Sequence, residues 1–161
     1  SVLISAAMKR RFILTVSSAL GLGYAPVAPG TFGTLAALPI WWAASGLSLT
    51  GFVLVTVVVT VAAVVVSELA ERIYGSHDVQ RIVIDEVAGM LVTVIGVPFR
   101  WPEVLAAFAL FRLLDATKPP PIRWFDRHVK GGFGVVLDDV VAGAIACALL
   151  HGARLVLGGW W

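Results

Sequence analysis

The run "LTGFVLVTVVVTVAAVVVS", Leu49–Ser67, carries no charged side chain from end to end. Its length is close to the ~20 residues that a helix needs to cross the hydrocarbon of a bilayer. So many valines would suit a buried strand in water, but an isolated strand cannot satisfy its backbone in lipid, and the run reads as a helix. Composition points to the same solvent. Hydrophobic residues make up 59% of the 161 positions and charged residues 14%, against about 45–50% and about 25% in ordinary globular domains. Mean hydropathy is +0.93. One soluble domain of this length cannot hide so much apolar surface, and the chain is too short for two domains, so positions 1–161 are read as a single unit.

Three further apolar regions accompany the first. Thr34–Leu49 contains Pro39 and the pair Trp41–Trp42, and is expected to form a helical hairpin with the first run, turning near Ser45–Gly51. Val87–Asp115 is cut by "GVPFRWPE" into halves shorter than a normal span, which fits tilted, re-entrant or interfacial helices. Val140–Gly159 has small residues suited to close helix packing, is opened by Asp138–Asp139, and ends at Trp160–Trp161, a pair suited to a membrane interface. The expected fold is all-α: an integral membrane helical bundle with about four apolar helices. The basic and apolar start, Met8–Ala28, has the composition of a signal peptide, but its apolar run Phe12–Leu22 is short and interrupted by Ser17, Ser18 and Gly21, Pro26 and Pro29 crowd the possible cleavage points, and the segment is read as retained.

Charge is concentrated between the apolar runs. With the N-terminus on the cytoplasmic side, Lys9, Arg10, Arg11, Arg72, Arg81, Lys118, Arg123, Arg127 and Lys130 share one side, Arg100 and Arg154 fall toward the other, and Arg112 lies within an apolar stretch. That is the positive-inside pattern. The same folding brings Asp78, Asp85, Glu86, Asp115, Asp126, Asp138 and Asp139 to that side. The net charge of +2 is too small for a nucleic-acid partner. Cys147 is the single cysteine and sits in "AGAIACALL" without nearby positive charge, so it reads as a packing residue rather than a nucleophile.

Three polar stretches are candidates for chemistry. "GLGYAPVAPGTFGTL", Gly21–Leu35, sets glycines and the hydroxyls of Thr31 and Thr34 before an apolar helix, which fits either an anion cradle or a capped turn. "HDVQRIVIDEVAG", His77–Gly89, puts Asp78 and Asp85 seven positions apart, on one face if helical, and runs Asp85 and Glu86 into an apolar segment where charge is costly and usually functional. "FRLLDATKPPPIRWFDRHVKGGFGVVLDD", Phe111–Asp139, spaces Arg112, Asp115 and Lys118 at helical intervals. Its prolines then force a rigid loop, followed by a short amphipathic piece with Trp124, Phe125 and Phe133 as interface anchors. Singly, each stretch is explained by capping or a local ion pair. Together they offer hard oxygen ligands suited to Mg2+ and cations suited to phosphate, beside apolar surface that admits a lipid tail. Of the histidines, His77 and His128 are candidates for acid–base work, whereas His151 reads as structural.

These three stretches resemble the phosphatidylglycerophosphatase A family of bacterial lipid phosphatases, from about Gly21 to Gly143. The resemblance implies Mg2+-dependent hydrolysis of phosphatidylglycerophosphate to phosphatidylglycerol and phosphate in phospholipid synthesis. It implies a multi-pass protein of the bacterial inner membrane with its active face cytoplasmic. The family's acidic positions fall at Asp78, Asp85, Glu86, Asp115, Asp138 and Asp139, and its basic positions at Arg112, Lys118 and Arg123. Asp85, Glu86, Asp78 and Asp139 are taken as catalytic. Asp85, Glu86, Asp138, Asp139 and Asp115 are taken as metal ligands, and Arg112, Lys118, Arg123, Gly30 and Thr31 as phosphate-binding. Two other readings stand beside this one. A metal-dependent phosphatidyltransferase lacks its usual aspartate arrangement here, and a non-enzymatic membrane protein or transporter would tolerate loss of the acids.

Overall fold

The computed structural model describes residues 2–77 and 79–159. Asp78 and the Trp160–Trp161 pair, given a site role and an interfacial role above, lie outside the described residues. The described residues form seven α-helices and no strand: α1 (Val2–Ser17), α2 (Pro29–Ala44), α3 (Leu49–Tyr74), α4 (Ile84–Thr93), α5 (Trp101–Thr117), α6 (Ile122–His128) and α7 (Gly131–Leu157). A single 3-10 turn, Leu22–Tyr24, precedes α2.

Two helices, α3 and α7, are long and apolar enough to cross a membrane, not four. The difference is one of length. At about 1.5 Å per residue, α2 and α5 reach only ~24–26 Å and α4 ~15 Å, below a ~30 Å hydrocarbon core. The hairpin turn falls where expected, with Ser48 capping α3 by accepting from the Gly51 N–H at 3.2 Å. The arms of the hairpin nevertheless splay, because α4 packs against both of them.

α3 buries a stripe of Phe52, Thr56, Ala63, Ser67 and Ala70, at helical spacing and mostly small. Its other faces expose Leu54, Val57, Val58, Val61 and Val65. Thr56 and Thr60 turn their hydroxyls back to carbonyls one turn earlier, at 3.0 and 2.8 Å, so these two mid-helix hydroxyls are satisfied within the helix. A helix with so much bare valine surface suits an apolar solvent.

α4 is the opposite case. Val87, Ala88, Gly89, Met90, Leu91 and Thr93 are all buried, and α7, α2, α3 and α5 enclose it. Backbone contact sets the α4–α7 crossing. A methyl group at Gly89 would stand 2.8 Å from the Asp139 carbonyl oxygen, and one at Gly143 would strike the Gly89 carbonyl. Only paired glycines let the two helices lie this close.

α7 begins nine residues earlier than its apolar run, through "GGFGVVL". Asp138 and Asp139 therefore do not open the helix; they sit two turns inside it and are buried. Tertiary contact overrides the low helix propensity of those glycines. The Gly132 N–H donates to Glu68 Oε2 at 2.8 Å, which ties the start of α7 to α3. Two other local expectations also change. Val79–Val83 is not helical, so Asp85 lies in the first turn of α4 and the seven-residue helical spacing from Asp78 does not hold. Neither Thr31 nor Thr34 caps α2, whose N-cap is Ala28 with Pro29 at the first helical positions.

The chain runs back and forth, so the start of α2, end of α3, start of α4, end of α5, α6 and start of α7 meet at one end of the bundle. Arg100, at the start of α5, and Arg154, in the last turn of α7, mark the opposite end.

Candidate active site

At the meeting end lies a cavity of about 440 Å3. Its wall holds Asp85 and Glu86 from α4, Arg112 and Asp115 from α5, and Asp138 and Asp139 from α7. Ala28, Pro29 and Gly30 line it from the start of α2, Lys118 and Asp126 from the turn and α6, and Arg127 and Lys130 from the rim. Segments more than a hundred positions apart in sequence thus share one space.

Asp85, Glu86 and Asp139 each offer a carboxylate oxygen within 4.8 Å of the others. Asp85 Oδ1, Glu86 Oε2 and Asp139 Oδ2 are buried with no hydrogen-bond partner. Three converging carboxylates, each with a buried oxygen left unpaired, leave a large electrostatic demand. A single hard cation fits it: oxygens on opposite sides of Mg2+ lie about 4.2 Å apart, and around Ca2+ about 4.8 Å. The donor set is all oxygen, as such ions require. The lining charges agree, since six carboxylates face four Lys and Arg side chains, an excess of two negative charges. Burial, and after it the neighbouring Glu86, holds the Asp85 carboxyl well above the usual carboxylate range. Burial also raises Glu86, with Asp115 adding to the effect and Arg112 opposing it.

The cations are held in place by the remaining acids. Arg112 pairs with Asp115 on the same face of α5. Gly30 makes room for this pair and for α4, because a methyl group there would collide with Glu86 Oε1 and stand 3.1 Å from Arg112 Nη1. Lys118 donates to Asp126 Oδ1 at 2.6 Å and to Asp138 Oδ2 at 2.7 Å, joining α5, α6 and α7. Burial works against the Lys118 charge, but its bonds to Asp126 and Asp138 outweigh that and raise its pKa. Lys118 and Ala28 both take left-handed φ values, 43° and 48°, and both line the cavity. For side chains with a Cβ this conformation is costly and gathers at functional sites.

Of the residues singled out from sequence, Asp85, Glu86, Asp115, Asp138, Asp139, Arg112, Lys118 and Gly30 come together in this cavity. Thr31 and Arg123 lie outside its lining. The Thr31 N–H donates to the Ala28 carbonyl at 2.9 Å, and Arg123 Nη2 donates to the Thr117 carbonyl at 3.4 Å. His77 lines the cavity with Nδ1 2.5 Å from Glu71 Oε1, whereas His128 stacks on Trp124 at 4.8 Å. Cys147 and His151 meet the Ile95 carbonyl at 3.6 and 2.8 Å, beyond the far end of α4. Sequence reasoning missed Asp126 as the second partner of Lys118, and Arg127 and Lys130 as rim cations. Its only signal for them was the charge of "DRHVK".

Comparison with known proteins gives this arrangement a context. The family model described as phosphatidylglycerophosphatase A matches residues 15–154. Phosphatidylglycerophosphatase A of Escherichia coli is 42% identical over 132 residues, covering 81% of this chain and 77% of that protein. The Haemophilus influenzae protein of the same name is 38% identical over 130 residues, 78% of each chain. A Bacteroides thetaiotaomicron protein provisionally named a phosphatidylinositol-3-phosphatase is 40% identical, covering 94% of this chain and all (100%) of its own length. No solved structure matches. With most of its length matched and each polar stretch of the cavity inside that match, the chain belongs to the phosphatidylglycerophosphatase A family of phosphatases.

Proposed function

We propose that this protein hydrolyses the terminal phosphomonoester of phosphatidylglycerophosphate, yielding phosphatidylglycerol and inorganic phosphate. Asp85, Glu86 and Asp139 hold Mg2+, with Asp138 and Asp115 beside them. The observation that carries the reading is the Asp85, Glu86 and Asp139 trio, which brings one carboxylate oxygen from each residue within 4.8 Å of the others and leaves each residue with a buried oxygen lacking a hydrogen-bond partner, in a cavity that also holds arginine and lysine. A divalent ion bound there supplies charge that polarises a phosphoryl oxygen and eases loss of a proton from water.

The chain's own groups do the rest. The Arg112 guanidinium, steadied by Asp115, faces the phosphoryl oxygens and holds them in a fixed orientation. The first turn of α2, where Pro29 and Gly30 line the cavity, turns its positive end toward the same anion. Lys118 keeps Asp138 from swinging away. A wall carboxylate accepts the proton as water attacks phosphorus, and a proton returns from the wall to the glycerol oxygen as its bond to phosphorus breaks, so that the lipid leaves as an alcohol. The Cys147 thiol has no part, since it bonds to the Ile95 carbonyl.

α3 and α7 are suited to crossing the bilayer. The gathering of Arg72, Arg81, Lys118, Arg123, Arg127 and Lys130 near the cavity end, with Arg100 and Arg154 opposite, supports a cytoplasmic active face at the inner membrane.

The decisive experiment incubates purified protein in detergent with phosphatidylglycerophosphate, phosphatidic acid or phosphatidylinositol 3-phosphate, each with Mg2+ or with EDTA, and counts phosphate released. The reading expects Mg2+-dependent release, fastest from phosphatidylglycerophosphate and abolished in Asp85→Asn. Preferential release from the inositol lipid, the substrate class in the Bacteroides relative's name, would reassign the substrate. No release from any lipid would sink the enzyme assignment.

A further inference from the structure

We propose that Arg127 and Lys130, at the cavity rim, form a second anion subsite that holds the phosphodiester of the lipid substrate. The inference rests on the phosphatase reading above and adds to it how the enzyme tells its substrate from simpler phosphomonoesters.

The cations of the cavity fall into two sets. Arg112 and Lys118 lie deep and are already bound by carboxylates, Arg112 by Asp115 and Lys118 by both Asp126 and Asp138. Arg127 and Lys130 line the same cavity, are exposed, and have no carboxylate partner among the described residues. They are the cationic groups of this wall whose charge is uncommitted. Arg127 stands in the last turn of α6, and Lys130 is the N-cap of α7.

Their height matches a second phosphate. Lys130 precedes Asp139 by nine positions on α7, which puts its backbone about 13 Å above the carboxylate floor. An extended lysine side chain covers part of that distance, and a phosphate joined through a three-carbon bridge to one at the floor covers the remainder. Trp124 and Phe133 are exposed and stand three positions from Arg127 and from Lys130 along α6 and α7, where they offer apolar surface to the glycerol backbone and acyl chains of a lipid. A monoester alone would fill only the floor. A substrate with both a monoester and a diester satisfies floor and rim together.

The test compares wild type with the Arg127→Ala/Lys130→Ala double variant and with the charge-keeping Arg127→Lys/Lys130→Arg variant. Three quantities are read: KM and kcat on phosphatidylglycerophosphate, inhibition by phosphatidylglycerol, which has the diester but no monoester, and inhibition by inorganic phosphate. In the alanine variant KM and the phosphatidylglycerol inhibition constant are expected to rise about ten- to hundredfold, with kcat far less affected. The inorganic phosphate constant stays unchanged, and the charge-keeping variant regains most of the loss. Raised salt should mimic the substitution. An unaltered phosphatidylglycerol constant, or an equal rise for inorganic phosphate, overturns the subsite. Failure of the wild type to release phosphate from phosphatidylglycerophosphate is a separate result, which overturns the phosphatase reading and the subsite with it.

Discussion

Gly89→Ala probes the link between packing and chemistry most directly. The added methyl carbon would lie 2.7 Å from two atoms of the Phe111 ring and 2.8 Å from the backbone carbonyl oxygen of Asp139. Ordinary contact starts near 3.5 Å, so α4 and α7 must part by roughly 0.6–0.7 Å at their crossing. Phe111 is fully buried and the Asp139 carbonyl belongs to a helix backbone, so neither yields by rotating a side chain. Overpacking of this kind costs about 1–3 kcal/mol. The same residue that is struck carries one of the three site carboxylates. Misplacing a catalytic group by about 1 Å can cost on the order of a hundredfold in rate. The expected result is a lower melting temperature in detergent together with a large loss of phosphate release. Gly152→Ala is the control: it lies on α7 with nothing within 4 Å of the added carbon, and should be neutral or stabilising by up to about 1 kcal/mol. If Gly89→Ala matches Gly152→Ala in both stability and turnover, the close crossing does not govern the site.

Other outcomes follow from the same geometry. Glu86→Gln and Asp139→Asn should each abolish turnover yet raise the melting temperature in EDTA, because each neutralises a buried carboxylate that has an unpaired oxygen and is crowded by neighbouring acids when no ion is bound; a drop in that temperature would contradict the electrostatic picture. The Asp85 carboxyl keeps its proton above the usual carboxylate range, so between the unfolded pKa near 4 and the raised native value the native state binds more protons than the unfolded chain. Stability in EDTA therefore falls as pH rises through that window, and Mg2+ should cancel the fall; a flat melting profile in EDTA would argue otherwise. Lys118→Met strips Asp126 and Asp138 of their shared cation and should cost about 1–3 kcal/mol, with part of the loss restored by adding Asp138→Asn; full additivity of the two changes would show that the pair is uncoupled. Trp41→Ala removes a fully buried ring that donates to the Val97 carbonyl at 3.3 Å, and thermal denaturation should report a loss of about 3–5 kcal/mol.

Much of the site was legible because charge in an apolar chain is conspicuous. Asp85, Glu86, Asp115, Asp138 and Asp139 stand out against their neighbours, and the alternation of apolar runs forces them to one end. What stayed hidden depended on contacts that no sequence period encodes. Asp126 reaches Lys118 across a proline turn, with no repeat to predict the pairing. α7 runs through Gly131, Gly132 and Gly134 because Glu68, more than sixty positions earlier, secures its first turn. α2 and α5 counted among about four apolar helices of a bundle, and the α5 half already read as shorter than a span; Pro29 and Pro102 near their starts and the turns that end them keep both helices short of a bilayer. Thr31 drew notice as a possible cap or anion donor, yet the left-handed Ala28 ahead of Pro29 takes the capping position.

The Ile95 carbonyl, just past α4, is gripped from α7 by His151 at 2.8 Å and by Cys147 at 3.6 Å. α4 is therefore pinned at the end remote from the carboxylates. Any breathing between α4 and α7 pivots about that pin, and the gap widens most where Asp85 and Glu86 face Asp139. An ion captured there would work as a clasp on a hinged jaw, shutting the moving tip while the hinge stays fixed. Loss of the His151 grip would loosen the jaw from behind and weaken ion capture from a full helix length away.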